Sequence, residues 1–293
     1  MLVSLSFISG VFSRFCWGRF VLSAAMRLKK TRIWEGVFRM RTYLLKLGSA
    51  SVLALMMMSP VHAGGNKVTG ADYANGKSVF ENGKGDVPAC NSCHGATGLG
   101  DDNLGTPRLA GQLYQFLYKQ LDDYANDRRQ DTAMYVMNAN AKGLSEADRR
   151  DVAAYLNSLG RTFKGKQLQV ASGGSDIAAL KEMGTEVGQA YVGKIMVYYG
   201  VPERDIPSCY SCHGFNGRGV EPMYPRIGEQ KLAYLVAQLK KFRDGERKND
   251  PMAQMRKVAE KLTDEDILNV ATYLTQAPPT TLGNTQVPPE HLP

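Results

Sequence analysis

Charge of one sign is missing from most of this chain, although its formal net charge is +8. Of its 36 basic and 28 acidic residues, residues 1–63 hold nine and one, which leaves 27 of each beyond them. No basic stripe with interleaved aromatics occurs in that remainder, so nucleic-acid binding is not expected. Strand-like alternation of apolar and polar residues is missing as well, which removes the strand–helix–strand setting of a thioredoxin-like redox pair. Histidine occurs four times and cysteine five times. Cys16 lies in the leader, and the other four cysteines fall into two close pairs.

From Met40 the sequence runs MRTYLLKLGSASVLALMMMSPVHA. Arg41 and Lys46 supply a positive start, Leu47 to Met58 a short apolar stretch, and Val61-His62-Ala63 a small-x-small cleavage site. This pattern predicts a secretory signal cut after Ala63, too short for a membrane span, and hence a periplasmic protein. Residues 1–39 are apolar, are broken by Arg14 and Arg19, and fit no folded element. The preferred reading is an untranslated stretch ahead of a true start at Met40 (or Met26). The alternative is an amphipathic membrane anchor.

The remainder repeats itself. CNSCHG at Cys90 to Gly95, PRLAGQ at Pro107 to Gln112 and a segment from Met134 to Leu156 recur as CYSCHG at Cys209, PRIGEQ at Pro225 and a segment from Met252 to Leu274. The offset is 117 at Gly76/Gly193, 119 at the cysteines and 118 from the prolines onward, so the second unit carries two extra residues near Val201 to Asp205. Two copies of this size indicate duplicated domains rather than a solenoid. Helices are predicted over Ala71 to Asn82 and Gly188 to Tyr199, and over Gln112 to Tyr124 and Gln230 to Phe242. Capping signals at Ser145-x-x-Asp148 and Thr263-x-x-Asp266 open the last helix of each unit.

Each unit holds C-x-x-C followed at once by histidine. Two thiols one helical turn apart can add to the two vinyl groups of one haem, and the adjoining histidine then lies under the ring as an iron ligand. The predicted attachments are Cys90 and Cys93, and Cys209 and Cys212, with His94 and His213 as ligands. A zinc site would need a second C-x-x-C close by, and the other pair lies more than a hundred residues away. A plain disulfide leaves the repeated histidine unexplained. The sixth iron ligand is expected to be methionine. His62 leaves with the signal, and His291 sits in a proline-rich tail and cannot serve two irons. Met134 and Met137 recur as Met252 and Met255. Met137 and Met255 are preferred, with Met134 and Met252 as core residues or substitutes. The carbonyls of Pro107 and Pro225 are candidate acceptors for the free ring N–H of each histidine; a simple turn before a helix is the other reading.

CHG, then P-x-L-A-G-Q, then methionine, then L-S-x-x-D before a helix with A-A-Y-L resembles class I cytochrome c, and the tandem copy resembles the di-haem cytochrome c(4) family. The resemblance covers residues 71–157 and 188–275. It implies an all-α chain of two tandem cytochrome c domains, each wrapped around one covalent haem c with histidine/methionine ligation. The implied organisation is a leader (1–63), first domain (64–163), linker (164–187), second domain (188–277) and disordered tail (278–293). The implied role is electron transfer, not catalysis. Redox proteins would be the partners: a donor cytochrome or dehydrogenase and an acceptor such as a terminal oxidase, with peripheral membrane association compatible. The alternatives are a cytochrome subunit of a dehydrogenase complex, or a di-haem peroxidase or thiosulfate dehydrogenase. The second unit has Gly228-Glu229 where the first has Ala110-Gly111, and the Glu229 carboxylate is expected to lower the second haem's potential if it is poorly solvated.

Overall fold

The computed structural model describes residues 68–132, 134–159, 161–164, 167–170 and 173–277; the signal, the tail and His291 lie outside them. Two helical domains follow one another in the expected order. The first comprises α1 (Tyr73–Asn82), α2 (Asn91–His94), α3 (Tyr114–Ala125), α4 (Val136–Gly143) and α5 (Glu146–Ser158). After the linker come α6 (Ile177–Glu182), α7 (Ala190–Tyr199), α8 (Cys209–His213), α9 (Leu232–Arg243), α10 (Gln254–Ala259) and α11 (Asp264–Gln276).

The local chemistry explains the helix ends. Asp72 accepts from the backbone N–H of Ala74 and Asn75 at the start of α1. Both last helices open with a complete capping box, Ser145 with Asp148 and Thr263 with Asp266. First and last helices of each domain cross in close contact. The crossings are possible because a glycine sits at each. A Cβ on Gly76 would lie 2.2 Å from the Asp151 carbonyl oxygen, and one on Gly193 would lie 1.9 Å from that of Asn269. Val79, Phe80, Leu117, Val152 and Leu156 form the first core, and Val197, Leu235, Ile267, Val270 and Leu274 the second.

The linker adds a short ribbon to the two helical domains. Arg161–Lys164 (β1) and Gln167–Val170 (β2) pair as a short antiparallel ribbon, Arg161 opposite Val170. Four residues per strand are too few for alternation to register, and the pairing comes from the chain folding back on itself. Within the predicted linker, Ser175 Oγ donates to Asp102 of the first domain at 2.8 Å, while the rest of the segment turns to the second. Leu180 on α6 is buried in the second core, and the Ser175 N–H donates to Thr275 Oγ1 at 2.7 Å. Among the described residues no helix is long and apolar enough to cross a membrane.

Candidate haem sites

The C-x-x-C-H segments form the tight helical turns α2 and α8, which place both thiols of each pair and the histidine on the wall of one cavity. All four thiols are free. Burial pushes the thiols of Cys90 and Cys209 up to about 11, so they remain protonated at neutral pH and make poor disulfide-exchange nucleophiles. His94 and His213 are buried, at 6% and 7% exposure. Burial holds both imidazoles below the usual histidine range, against the opposing pull of the Pro107 and Pro225 carbonyls. Each Nδ1 lies within hydrogen-bond reach of its carbonyl, 3.1 Å for His94 and Pro107 and 2.8 Å for His213 and Pro225. A neutral ring that donates from Nδ1 keeps its Nε2 lone pair for a metal. The proline carbonyls are therefore ring acceptors, the first of the two readings of those turns.

The cavity is continuous through both domains and has a volume of about 890 Å³. Leu117, Leu144 and Leu156 line it in the first domain, Leu235, Leu262 and Leu274 in the second. Met137 and Met255 lie on this wall and are half-buried. Met134 also borders the cavity but is 56% exposed; Met252 is 78% exposed. The backbone before each short helix is left-handed at equivalent residues, Tyr135 (φ 59°) and Ala253 (φ 56°). Non-glycine residues rarely hold that conformation, and they do so here two positions before Met137 and Met255. Free thiols one turn apart, a neutral buried imidazole, an apolar wall and a thioether on that wall fit a covalently tethered haem in each domain.

Several residues of this region escaped the sequence reading. Gln112 and Gln230 reach across the domain boundary to the backbone of Arg226 and Arg108. Arg129 and Arg247, both buried on the cavity wall, share the side-chain oxygens of Gln120 and Gln238. Gln112 and Gln230 close the repeated PRLAGQ and PRIGEQ motifs, and Gln120/Gln238 and Arg129/Arg247 keep the same separation of 118 residues, so extending the repeat beyond its motifs would have found the latter. Glu229 is buried, the condition set for its effect on the second potential, but its carboxylate also accepts from Arg108 Nη1 of the first domain at 2.8 Å, and that guanidinium offsets its field. The two extra residues near Val201 also lie off the cavity wall, where Arg204 pairs with Asp266.

The fold and these sites define a c-type cytochrome. The family model for cytochrome c matches residues 73–160 and 207–278, more than half of the chain. A cytochrome c4 of Stutzerimonas stutzeri is 33% identical over 215 residues, 71% of this chain and 92% of that protein. A thiosulfate dehydrogenase electron acceptor of Stutzerimonas stutzeri (strain A1501) is 34% identical over 205 residues, 69% of this chain and 86% of that protein. Among solved structures, reduced recombinant cytochrome c4 from Pseudomonas stutzeri has a TM-score of 0.55 at 30% identity, covering 71% of this chain and 98% of its own. A thiosulfate dehydrogenase from Marichromatium purpuratum has a TM-score of 0.60 at 30% identity, and the match spans 71% of this chain but only 40% of that one. The chain belongs to the cytochrome c family and is a di-haem, cytochrome c4-like member of class I. It is an electron-transfer protein with covalently bound haem c.

Proposed function

We propose that this protein is a periplasmic carrier with two haems that takes up electrons singly from a redox protein and delivers them to an acceptor such as a terminal oxidase. The observation that supports it most is that both domains present two cysteines, a buried histidine and a half-buried methionine at equivalent places on the cavity wall; read as ligands, these would leave neither iron an open position for substrate. In this reading Cys90 and Cys93, and Cys209 and Cys212, hold the haems as thioethers. His94 and Met137 would ligate iron in the first domain, His213 and Met255 in the second. The exposure of Met134 and Met252 favours Met137 and Met255. Bound haem supplies one-electron Fe(III)/Fe(II) chemistry, and histidine/methionine ligation in an apolar shell raises its potential. The proline carbonyls hold each imidazole in its ligating tautomer, and the leucine walls exclude water.

A second reading concerns the donor. Two relatives are named as thiosulfate dehydrogenase electron acceptors. That favours a thiosulfate-oxidising dehydrogenase as the enzyme that reduces this chain, without the chain itself oxidising thiosulfate. Stopped-flow reduction of the purified holoprotein distinguishes the cases. Reduction by thiosulfate only when such a dehydrogenase is present supports the carrier. Robust thiosulfate or peroxide turnover by the pure protein would make it an enzyme.

A further inference from the structure

We propose that Gln112 and Gln230 are positioning residues for the axial histidines, each acting on the haem site of the opposite domain. The proposal rests on the reading of His94 and His213 as iron ligands. Bound through Nε2, each ring has one N–H left, at Nδ1, and donates it to the carbonyl of Pro107 or Pro225. That carbonyl belongs to the peptide leading into Arg108 or Arg226. The other end of the same peptide is held from across the domain boundary. Arg108 N–H donates to Gln230 Oε1 at 2.7 Å, and Gln230 Nε2 donates to the Arg108 carbonyl at 3.0 Å. Reciprocally, Arg226 N–H donates to Gln112 Oε1 at 2.7 Å, and Gln112 Nε2 donates to the Arg226 carbonyl at 2.7 Å.

A peptide unit is planar, so fixing its N–H fixes the direction of its C=O. Hydrogen bonding at the N–H also polarises the unit and makes the carbonyl a stronger acceptor. The glutamines are themselves held. Each Oε1 also accepts from the next backbone N–H, Leu113 or Lys231, at 2.9 Å, and both side chains are buried at 5% exposure. Their amide orientation follows because a backbone N–H only donates. The acceptor that sets the orientation and basicity of His94 is therefore braced by the second domain, and that of His213 by the first. A stronger acceptor makes the imidazole a more basic ligand, favours the oxidised iron and lowers the potential. Loss of a glutamine then raises the potential of the haem in the other domain.

The test uses the full-length holoprotein with Gln230→Met and Gln112→Met, which keep length and remove hydrogen bonding. Waves are assigned with Met137→His and Met255→His, each of which lowers the potential of its own haem. Gln230→Met is expected to raise the first haem's potential and shift the His94 ring N–H in proton NMR, leaving the second haem in place. Gln112→Met should do the mirror image. Movement of both waves together, or only of the wave in the substituted domain, overturns the proposal. If the methionine variants fail to hold two haems, Gln230→Glu is read by the same criterion. Its carboxylate is a stronger acceptor for Arg108 N–H than the amide it replaces, so a lowered potential of the first haem with the second wave unmoved supports the proposal and any other pattern overturns it. Failure of the ligand reading would show separately, as wild-type spectra without a histidine/methionine signature.

Discussion

In the first domain the ammonium of Lys84 reaches Asp148, the capping-box carboxylate of α5; in the second, Arg204 reaches the equivalent Asp266 with two nitrogens, at 2.6 and 3.0 Å. The backbone bridge beside this pair closes between Lys84 and Val87 in one domain and between Val201 and Ile206 in the other. The two extra residues therefore re-route a turn and exchange a point charge for a planar fork, while the carboxylate keeps its task. A second contrast lies at the boundary between the domains. Gly111 and Glu229 occupy equivalent positions at φ 72° and 53°. Glycine holds that conformation freely, whereas a residue with a Cβ pays about 1–2 kcal/mol. In that conformation the Glu229 carboxylate meets the buried Arg108 of the other domain, which makes the boundary asymmetric. A third contrast is aromatic. Tyr198 packs against Tyr210, Phe215 and Tyr273 at 5.7, 6.1 and 6.4 Å, whereas in the first domain Tyr155, the equivalent of Tyr273, meets Phe80 at 5.8 Å and Tyr114 stacks separately on Tyr118 at 6.2 Å. The domains differ in the turns and contacts that hold the scaffold and agree in the residues offered to the cofactor.

The strongest test of that agreement is removal of one attachment site. Cys209→Ser with Cys212→Ser is expected to lower the intact mass by one haem and leave the first domain's spectrum in place; loss of both haems would show that the domains do not load independently. Met137→Ala and Met255→Ala should each remove about half of the methionine-to-iron charge-transfer band and together all of it, since separate sites add. Survival of the band in the double variant would move the ligand to Met134 and Met252 or elsewhere.

The boundary contrast predicts a smaller change. Glu229→Ala should destabilise the protein by about 3 kcal/mol, because it leaves the Arg108 charge buried beside one lost partner. Denaturant titration measures this, and an unchanged midpoint would mean the pair contributes nothing net. The smallest effect concerns acid. Burial pushes the carboxyls of Asp148 and Asp266 up, but hydrogen bonds outweigh it and hold both below the ordinary range: from Asn75, Lys84 and Ser145 at Asp148, and from Arg204 and Thr263 at Asp266. A depressed carboxyl contributes stability that is complete above its unfolded value of about 4 and is lost as pH falls through the folded value. Asp148→Asn should cost about 1 kcal/mol at neutral pH and flatten the acid dependence of the first domain alone below about pH 4. Soret and circular-dichroism titrations read this out, and an acid limb identical to wild type would remove Asp148 from it.

Much of this architecture is legible in particular residues. Ser145-x-x-Asp148 and Thr263-x-x-Asp266 mark helix starts that the structure reproduces, because a capping box is completed within four residues. The first helix begins at Tyr73 rather than Ala71, since Asp72 caps it. The β1–β2 ribbon was not legible, because its strands are too short to carry a period. The role of Gln112 was hidden for another reason. Beside Gly111 it reads as the first residue of an amphipathic helix, and its partner Arg226 lies 114 residues away.

Cofactor chemistry was determined by sequence alone because its elements are contiguous: two thiols and an imidazole within five residues impose their own geometry once that segment turns as a helix. The duplication was likewise written in the constant offset of the motifs. Tertiary structure alone decided the relation between the copies. Which glutamine holds the peptide behind each proline carbonyl and which arginine neutralises Glu229 depend on groups more than a hundred residues apart, in different domains. Hydrogen bonds and ion pairs of that kind form only after packing has excluded water, and nothing in local propensity or periodicity encodes their partners.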